Sequence, residues 1–88
     1  MDDRRKKLKF RAWRRGFREI DLILGPFADE TLAEMDLARL DEFEALLDAP
    51  DHDLFAWIME AAEAPAEFQT GTLRALQEFR LTLSDRLS

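Results

Sequence analysis

Residues 10–27 of the chain read FRAWRRGFREIDLILGPF, and this stretch decides the fold. Large apolar side chains recur in it every three or four positions, which is the spacing of one face of an α-helix: Phe10, Trp13, Phe17, Ile20, Leu24 and Phe27. Periodicity alone permits one long helix or two, but a glycine inside a helix costs about 1 kcal/mol relative to alanine. We therefore predict a break at Arg15–Gly16. Because Pro26 lacks an N–H donor, we also expect a kink or an early stop at Gly25–Pro26.

The rest of the chain shows the same spacing and predicts three more helices. Asp36, a residue type that caps helix N-termini, precedes a helix that should end at Ala49–Pro50. Asp51 is expected to cap the next helix, and the last should begin at Thr70 or Thr72. The side chains predicted to face inward from these helices are Leu37, Leu40, Phe43, Leu47, Leu54, Phe55, Trp57, Ile58, Ala61, Leu73, Leu76, Phe79, Leu83 and Leu87.

The sequence thus predicts an all-α fold, a compact bundle of about five short helices. Eighty-eight residues suffice for one domain, so we expect a single domain over residues 1–88, in which residues 1–7 form a disordered basic tail. The N-terminus lacks the apolar stretch of a signal peptide, and no apolar run reaches the roughly 18 residues that span a bilayer. We expect a cytoplasmic bacterial protein.

Few side chains could carry chemistry. The chain has no cysteine, which excludes disulfides and thiolate metal sites. His52 is the single histidine, and we expect it on the surface. A calcium site is one possible explanation for three neighbouring aspartates, Asp48, Asp51 and Asp53. The glycine and the terminal glutamate of a calcium-binding loop are missing, however, and helix capping explains these aspartates better. We predict no catalytic residues, no metal and no enzyme activity.

Charge divides the chain sharply. Residues 1–18 hold nine basic and two acidic residues, a net charge of +7, whereas residues 19–88 hold four basic and seventeen acidic residues, a net charge of −13. Such an asymmetry indicates an interaction surface. Two readings of the basic segment stay open beside protein binding: a nucleic-acid-binding or antitoxin-like protein, and a helix lying on an anionic membrane. The acidic remainder would repel phosphates, so we expect no nucleic-acid partner. Phe10 and Trp13 are better used in the core of so small a domain, so we expect no membrane insertion.

The most informative stretch is Arg14-Arg15-Gly16-Phe17-Arg18-Glu19. Gly16 could be required because its φ is positive, or because the backbone of another protein approaches it closely. Phe17 suits either the core or an exposed contact patch. Glu19 would lie in the first turn of the second helix, where the helix dipole favours negative charge. Arginines beside it can form bidentate hydrogen bonds with carboxylates or phosphates of a partner.

Two motifs in this sequence resemble those of the succinate dehydrogenase assembly factors, a family of small flavinylation factors. Arg15-Gly16-x-x-Glu19 matches the family's RGxxE signature, and Asp53-Leu54-Phe55-Ala56-Trp57 resembles its second signature, Asp-Leu-x-x-Trp. Pro26-Phe27 sits where the family carries a Pro-Phe. The resemblance covers about residues 8 to 80, and the acidic, Ala-rich stretch 60–66 departs from it.

The resemblance implies a five-helix bundle that acts as a chaperone. Family members bind the flavoprotein subunit of succinate dehydrogenase, in some bacteria also that of fumarate reductase, and promote the covalent bond between a histidine of that subunit and the FAD isoalloxazine ring. By implication Arg15, Gly16, Phe17, Arg18 and Glu19 contact the partner. The FAD belongs to the partner, no cofactor is bound stably, and we expect a monomer. The alternative that the protein itself carries free FAD ranks below partner binding, because nothing in the sequence resembles a dinucleotide-binding site.

Overall fold

The computed structural model of the protein describes residues 2–14 and 16–87, with side chains up to residue 83. Within these ranges there are five α-helices and no strands, so the predicted all-α class is confirmed. The helices are α1 (Asp3–Trp13), α2 (Arg18–Thr31), α3 (Leu37–Asp48), α4 (Asp51–Ile58) and α5 (Gly71–Leu87), with short 3-10 turns at Leu32–Glu34 and Ala66–Phe68. The predicted break is confirmed, because α1 ends at Trp13 and α2 begins at Arg18; Arg15 itself lies outside the described residues.

The basic segment is helical from Asp3 onward, so the expectation of a disordered tail was wrong for residues 3–7, and Met1 lies outside the described residues. Asp2 caps α1, its side chain accepting the backbone N–H of Arg5 at 2.8 Å. The Arg5 guanidinium in turn donates to the carbonyl oxygen of Leu32 at 3.0 Å and to that of Met35. These carbonyls follow the C-terminal end of α2, where unpaired carbonyl groups attract cations. The N-terminal cations are therefore partly used inside the fold.

Helix α2 continues through Pro26 to Thr31, and the expected early stop was wrong. Tertiary packing outweighs the missing donor, since the helix buries a continuous apolar face made of Ile20, Leu24, Phe27 and Ala28. Gly25 does not end the helix. It lies beneath the indole of Trp13, and a Cβ placed on it would stand 2.3 Å from the ring carbon Cδ2. Gly25 thus lets α1 and α2 approach closely.

The buried face of α1 differs from the predicted one. Leu8 and Ala12 are fully buried, whereas Phe10 is 61% exposed and was wrongly predicted to be in the core. Trp13, also predicted to be core, is 38% exposed; it covers Gly25 and donates from Nε1 to Asp29 at 3.3 Å. The stripe of six residues changes direction at the break, so its first members do not share a face with the later ones.

The predicted limits of α3 are confirmed, with Asp36 accepting the backbone N–H of Arg39 at 2.9 Å as N-cap. Its buried face is Leu40, Phe43, Leu46 and Leu47. Leu37 was wrongly predicted to be buried. It is 71% exposed, because it directly follows the cap and faces away from the other helices.

Helix α4 begins after Pro50, so Asp51 is its first helical residue and not its cap. Leu54, Trp57 and Ile58 are buried as predicted, and Trp57 stacks on Phe68 with ring centroids 4.9 Å apart. Phe55 is half-buried and packs against the core. Ala61 is exposed, contrary to prediction, because α4 has already ended at Ile58.

Helix α5 closes the core. Leu73 and Leu76 are buried as predicted, Phe79 and Leu83 are half-buried, and the side chain of Leu87 lies outside the described residues. Thr72, next to the start of α5, is buried, and its hydroxyl donates to the carboxylate of Glu42 at 2.8 Å. This bond joins α5 to α3.

Candidate partner-binding site

The turn between α1 and α2 places Gly16 against the beginning of α4. No glycine in the described part of the chain has a positive φ, so the left-handed explanation for Gly16 is wrong. A Cβ on Gly16 would instead stand 2.1 Å from Oδ2 of Asp51. A side chain at position 16 would therefore have to displace the carboxylate of Asp51, which glycine leaves in place. Its other side is exposed to solvent.

Phe17 anchors this turn. Its ring stacks on the imidazole of His52, with centroids 5.0 Å apart and planes 13° apart, and meets the edge of Phe55 at 5.3 Å. Phe17 is half-buried and packs against the core, and its contact with a partner stays a prediction. His52 is exposed as predicted, but it has a packing role that the prediction lacked. The first turns of α4 therefore hold the α1–α2 turn in place.

Arg18 and Glu19 open α2 and are both exposed, as predicted. Neither forms an ion pair with another residue in the described ranges. Glu19 lies in the first helical turn, where the positive end of the helix dipole stabilises a carboxylate. Gly16 to Glu19 thus form one exposed corner with a cation, an anion and accessible backbone. Arg15, the fifth residue of the predicted site, lies outside the described residues.

The sequence did not identify the residues that support this corner: Asp51, His52 and Phe55. The contact between Gly16 and Asp51 joins positions far apart in the chain, which helical periodicity cannot reveal. One signal was present, because a glycine inside an apolar stripe indicates that some group approaches the backbone closely.

The aspartates near α4 have ordinary structural roles. Asp48 accepts a charged hydrogen bond from Arg11 at 2.6 Å, which the capping explanation did not foresee. Asp51 and Asp53 lie in the first turn of α4. Among the described residues, no group of three or more His, Asp or Glu side chains is arranged to hold a metal ion. Of the described helices, none has both the length and the apolar composition that a bilayer crossing requires.

Comparison with known proteins finds similarity to one family and to proteins with related names. A family model described as "Flavinator of succinate dehydrogenase" matches residues 6–80. The "Succinate dehydrogenase assembly factor 2, mitochondrial" of Dictyostelium discoideum is 41% identical over 73 residues, which cover 83% of this chain and 52% of that protein. The "FAD assembly factor SdhE" of Acetobacter pasteurianus is 36% identical over 75 residues, which cover 85% of this chain and 69% of that protein.

A second bacterial protein, the "FAD assembly factor SdhE" of Vibrio cholerae, is 44% identical over 48 residues, covering 54% of this chain and 56% of that protein. The chain spans about half the length of the Dictyostelium protein and 43% of the corresponding mitochondrial protein of Cryptococcus neoformans. The similarity therefore extends over most of this chain and over part of its mitochondrial relatives.

Proposed function

Because the chain belongs to the family described as flavinators of succinate dehydrogenase, we propose that it binds the flavoprotein subunit of that enzyme and promotes the covalent attachment of FAD to it. The observation that supports this most strongly is the exposed corner Gly16 to Glu19. It contains Gly16 and Glu19 of the RGxxE pattern, and Phe17 and Gly16 of the corner lie against His52 and Asp51 at the start of α4.

We propose that the protein acts by positioning and not by supplying a reacting group. A preformed corner can select one arrangement of the flavoprotein, in which its histidine and the isoalloxazine ring are aligned. Holding two reacting groups in a productive geometry can remove several kcal/mol from a barrier without any nucleophile. The FAD would remain with the flavoprotein, and the monomer would return to solution after release.

Each residue of the corner has a distinct proposed task. Gly16 leaves its backbone open to the partner on its exposed side. Arg18 and Glu19 lack ion-pair partners among the described residues, so they are available to pair with charges on the flavoprotein. Arg15 is proposed as a further contact from the motif alone. Phe17 contributes chiefly by fixing the turn, because its ring is held by His52 and Phe55.

The succinate dehydrogenase flavoprotein is the primary partner in this proposal, and the fumarate reductase flavoprotein is a second partner to be tested beside it. The proposed compartment is the one in which the flavoprotein receives its FAD, and our expectation remains the bacterial cytoplasm.

The proposal is tested by deleting the gene in the native host and measuring covalent flavin by in-gel fluorescence of the flavoprotein subunit. We expect the subunit to be present but poorly flavinylated, and the wild-type protein to restore the signal. Gly16→Arg and Glu19→Ala should fail to restore it. Ala38→Arg on α3 and Glu78→Ala on α5 are the matched controls at exposed helical positions, and both should restore it fully.

Circular dichroism of each purified variant checks that it is folded. If the flavoprotein subunit carries the same amount of covalent flavin with and without the protein, at the native FAD concentration, the proposal is wrong.

A further inference from the structure

The basic residues of α1 fall into two sets with different surroundings. One set holds α1 against the body of the protein. Arg4 pairs with Asp41 at 2.6 Å and with Glu44 at 3.4 Å, and Arg11 pairs with Asp48 at 2.6 Å. Lys9 pairs with Asp29 at 3.4 Å, and Arg5 donates to the carbonyl groups that follow α2. These residues account for part of the positive charge and need no external ligand.

The second set lies on the opposite side of α1. Lys6, Lys7 and Arg14 are exposed, and none of them pairs with a carboxylate among the described residues. Phe10 lies between them, three or four positions from each, which makes them neighbours on the helix surface. The Arg14 guanidinium stands 4.8 Å from the centroid of the Phe10 ring. We call Lys6, Lys7, Phe10 and Arg14 the outer face of α1.

This outer face has the composition of a contact surface. Phe10 is 61% exposed, and unlike Leu37, which is 71% exposed, it is an aromatic side chain that lies among exposed cations. Aromatic and arginine side chains are enriched in protein interfaces, where they contribute most of the binding energy. The remainder of the chain carries a net charge of −13, yet these cations stay unpaired. Their complement is therefore an external group with negative charge and an apolar side chain.

The outer face is also continuous with the exposed corner. Arg14 is the C-cap of α1, two residues before Gly16, so a partner seated on the corner would reach Arg14 and Phe10 next. An extended phosphate backbone or lipid surface would also lie near the acidic body, which would repel it. A short acidic segment of a protein can contact the outer face without that cost.

We propose that the outer face of α1 docks an acidic segment of the same flavoprotein, with carboxylates pairing to Lys6, Lys7 and Arg14 and an apolar side chain covering Phe10. This inference rests on the proposed function. It adds a second contact region to the corner and states its chemistry.

The test compares the binding of purified flavoprotein to the wild-type protein and to Lys6→Glu/Phe10→Ala. Arg74→Glu/Leu81→Ala is the matched control, since it makes the same change of charge and removes an exposed apolar side chain on α5. The outer-face variant should bind about tenfold more weakly, mainly through slower association, and its affinity should depend less on salt. The control should bind like the wild type. Lys6→Glu alone should show a smaller loss of affinity for the flavoprotein. Its new carboxylate lies near the N-terminus of α1, where the helix dipole favours negative charge.

Three other outcomes would contradict the inference or the function on which it rests, and the measurements distinguish them. If the outer-face variants bind like the wild type while Glu19→Ala is impaired, the inference falls and the proposed function stands. If the wild-type protein does not bind the flavoprotein, the proposed function fails first. If the wild type binds phosphatidylglycerol vesicles or duplex DNA and the outer-face variant loses only that binding, the occupant is a membrane or a nucleic acid and the inference is wrong.

Discussion

The side chain of Asp51, in the first turn of α4, lies beside Gly16 of the proposed site. The side chain of Asp51 occupies the space where any other residue at position 16 would place its Cβ. A substitution at Gly16 therefore has two effects: it changes the exposed corner, and it displaces the carboxylate of Asp51. The free energy of unfolding of Gly16 variants measures the effect on packing against Asp51 separately from the effect on the exposed corner.

We predict that Gly16→Ala lowers the free energy of unfolding by about 1 kcal/mol, because the added methyl group must displace the carboxylate. In the Asp51→Ala background the same change should cost less, with a coupling of at least about 0.5 kcal/mol. Urea unfolding of the two single variants and the double variant measures this cycle. Strictly additive effects would show that Asp51 does not limit position 16.

At the scale of the elements, the end of α4 is set by a single backbone conformation. Glu60 has a φ of 58°. The backbone N–H of Ala61 donates to the carbonyl oxygen of Ala56 at 2.8 Å, and that of Glu60 donates to Trp57 at 3.1 Å. This pair of bonds is the Schellman motif, in which glycine is usually found at the left-handed position. The motif turns the chain away after Ile58, and this explains why Ala61 is exposed.

Glu60→Gly should therefore raise the free energy of unfolding by about 0.5–1 kcal/mol, because glycine adopts a positive φ without steric strain. The gain should exceed the loss of the ion pair between Glu60, which is exposed, and Arg80, which is partly buried, because their separation of 3.3 Å makes the pair a weak one. Ala62→Gly, two positions along in the same exposed segment, is the control and should give no gain. A destabilised Glu60→Gly protein would contradict this reading of the helix end.

The start of α1 gives a prediction that depends on pH. The backbone N–H of Arg5 lowers the pKa of Asp2 below its ordinary value of 3.8. A carboxylate with a lowered folded pKa stabilises the fold above the unfolded value, and this contribution is lost as the pH falls through the folded pKa. Hydrogen exchange should show the Arg5 amide protected at neutral pH and less protected once the pH falls well below 3.8, whereas Asp2→Ala should leave it unprotected throughout. Equal protection in both proteins at neutral pH would show that Asp2 is not the cap.

Local patterns were enough to predict the helices but not how the helices face one another. Asp36 and Trp57 were predicted correctly because a cap and an apolar stripe are properties of one segment. Phe10 was predicted wrongly because its periodicity matched that of α2, while the break at Gly16 turned α1 so that Leu8 and Ala12 face inward. The motif residues could be named from the sequence, but their support by His52 depends on a distant contact.

For the whole molecule, stability rests on one small core that all five described α-helices share. A domain of this size has only about 5–15 kcal/mol of stability. The loss of one large buried side chain therefore removes a large part of it.

Trp57→Ala should cost about 3–5 kcal/mol, because Trp57 is only 8% exposed and packs on Phe68. Leu37→Ala, which removes an apolar side chain that is 71% exposed, should change the stability by less than about 0.5 kcal/mol. Thermal unfolding followed by circular dichroism distinguishes the two. An unchanged melting temperature for Trp57→Ala would show that the buried face of α4 is assigned wrongly.

We propose that this small protein, through its exposed corner, accelerates the attachment of FAD to a flavoprotein. The most direct measurement is the rate of covalent flavin formation on purified flavoprotein supplied with FAD, with and without the protein. We predict a faster rate with the wild type and with Glu78→Ala, and a rate near the unassisted one with Glu19→Ala. The same rate in the presence and absence of the wild-type protein would contradict the proposal that it accelerates FAD attachment.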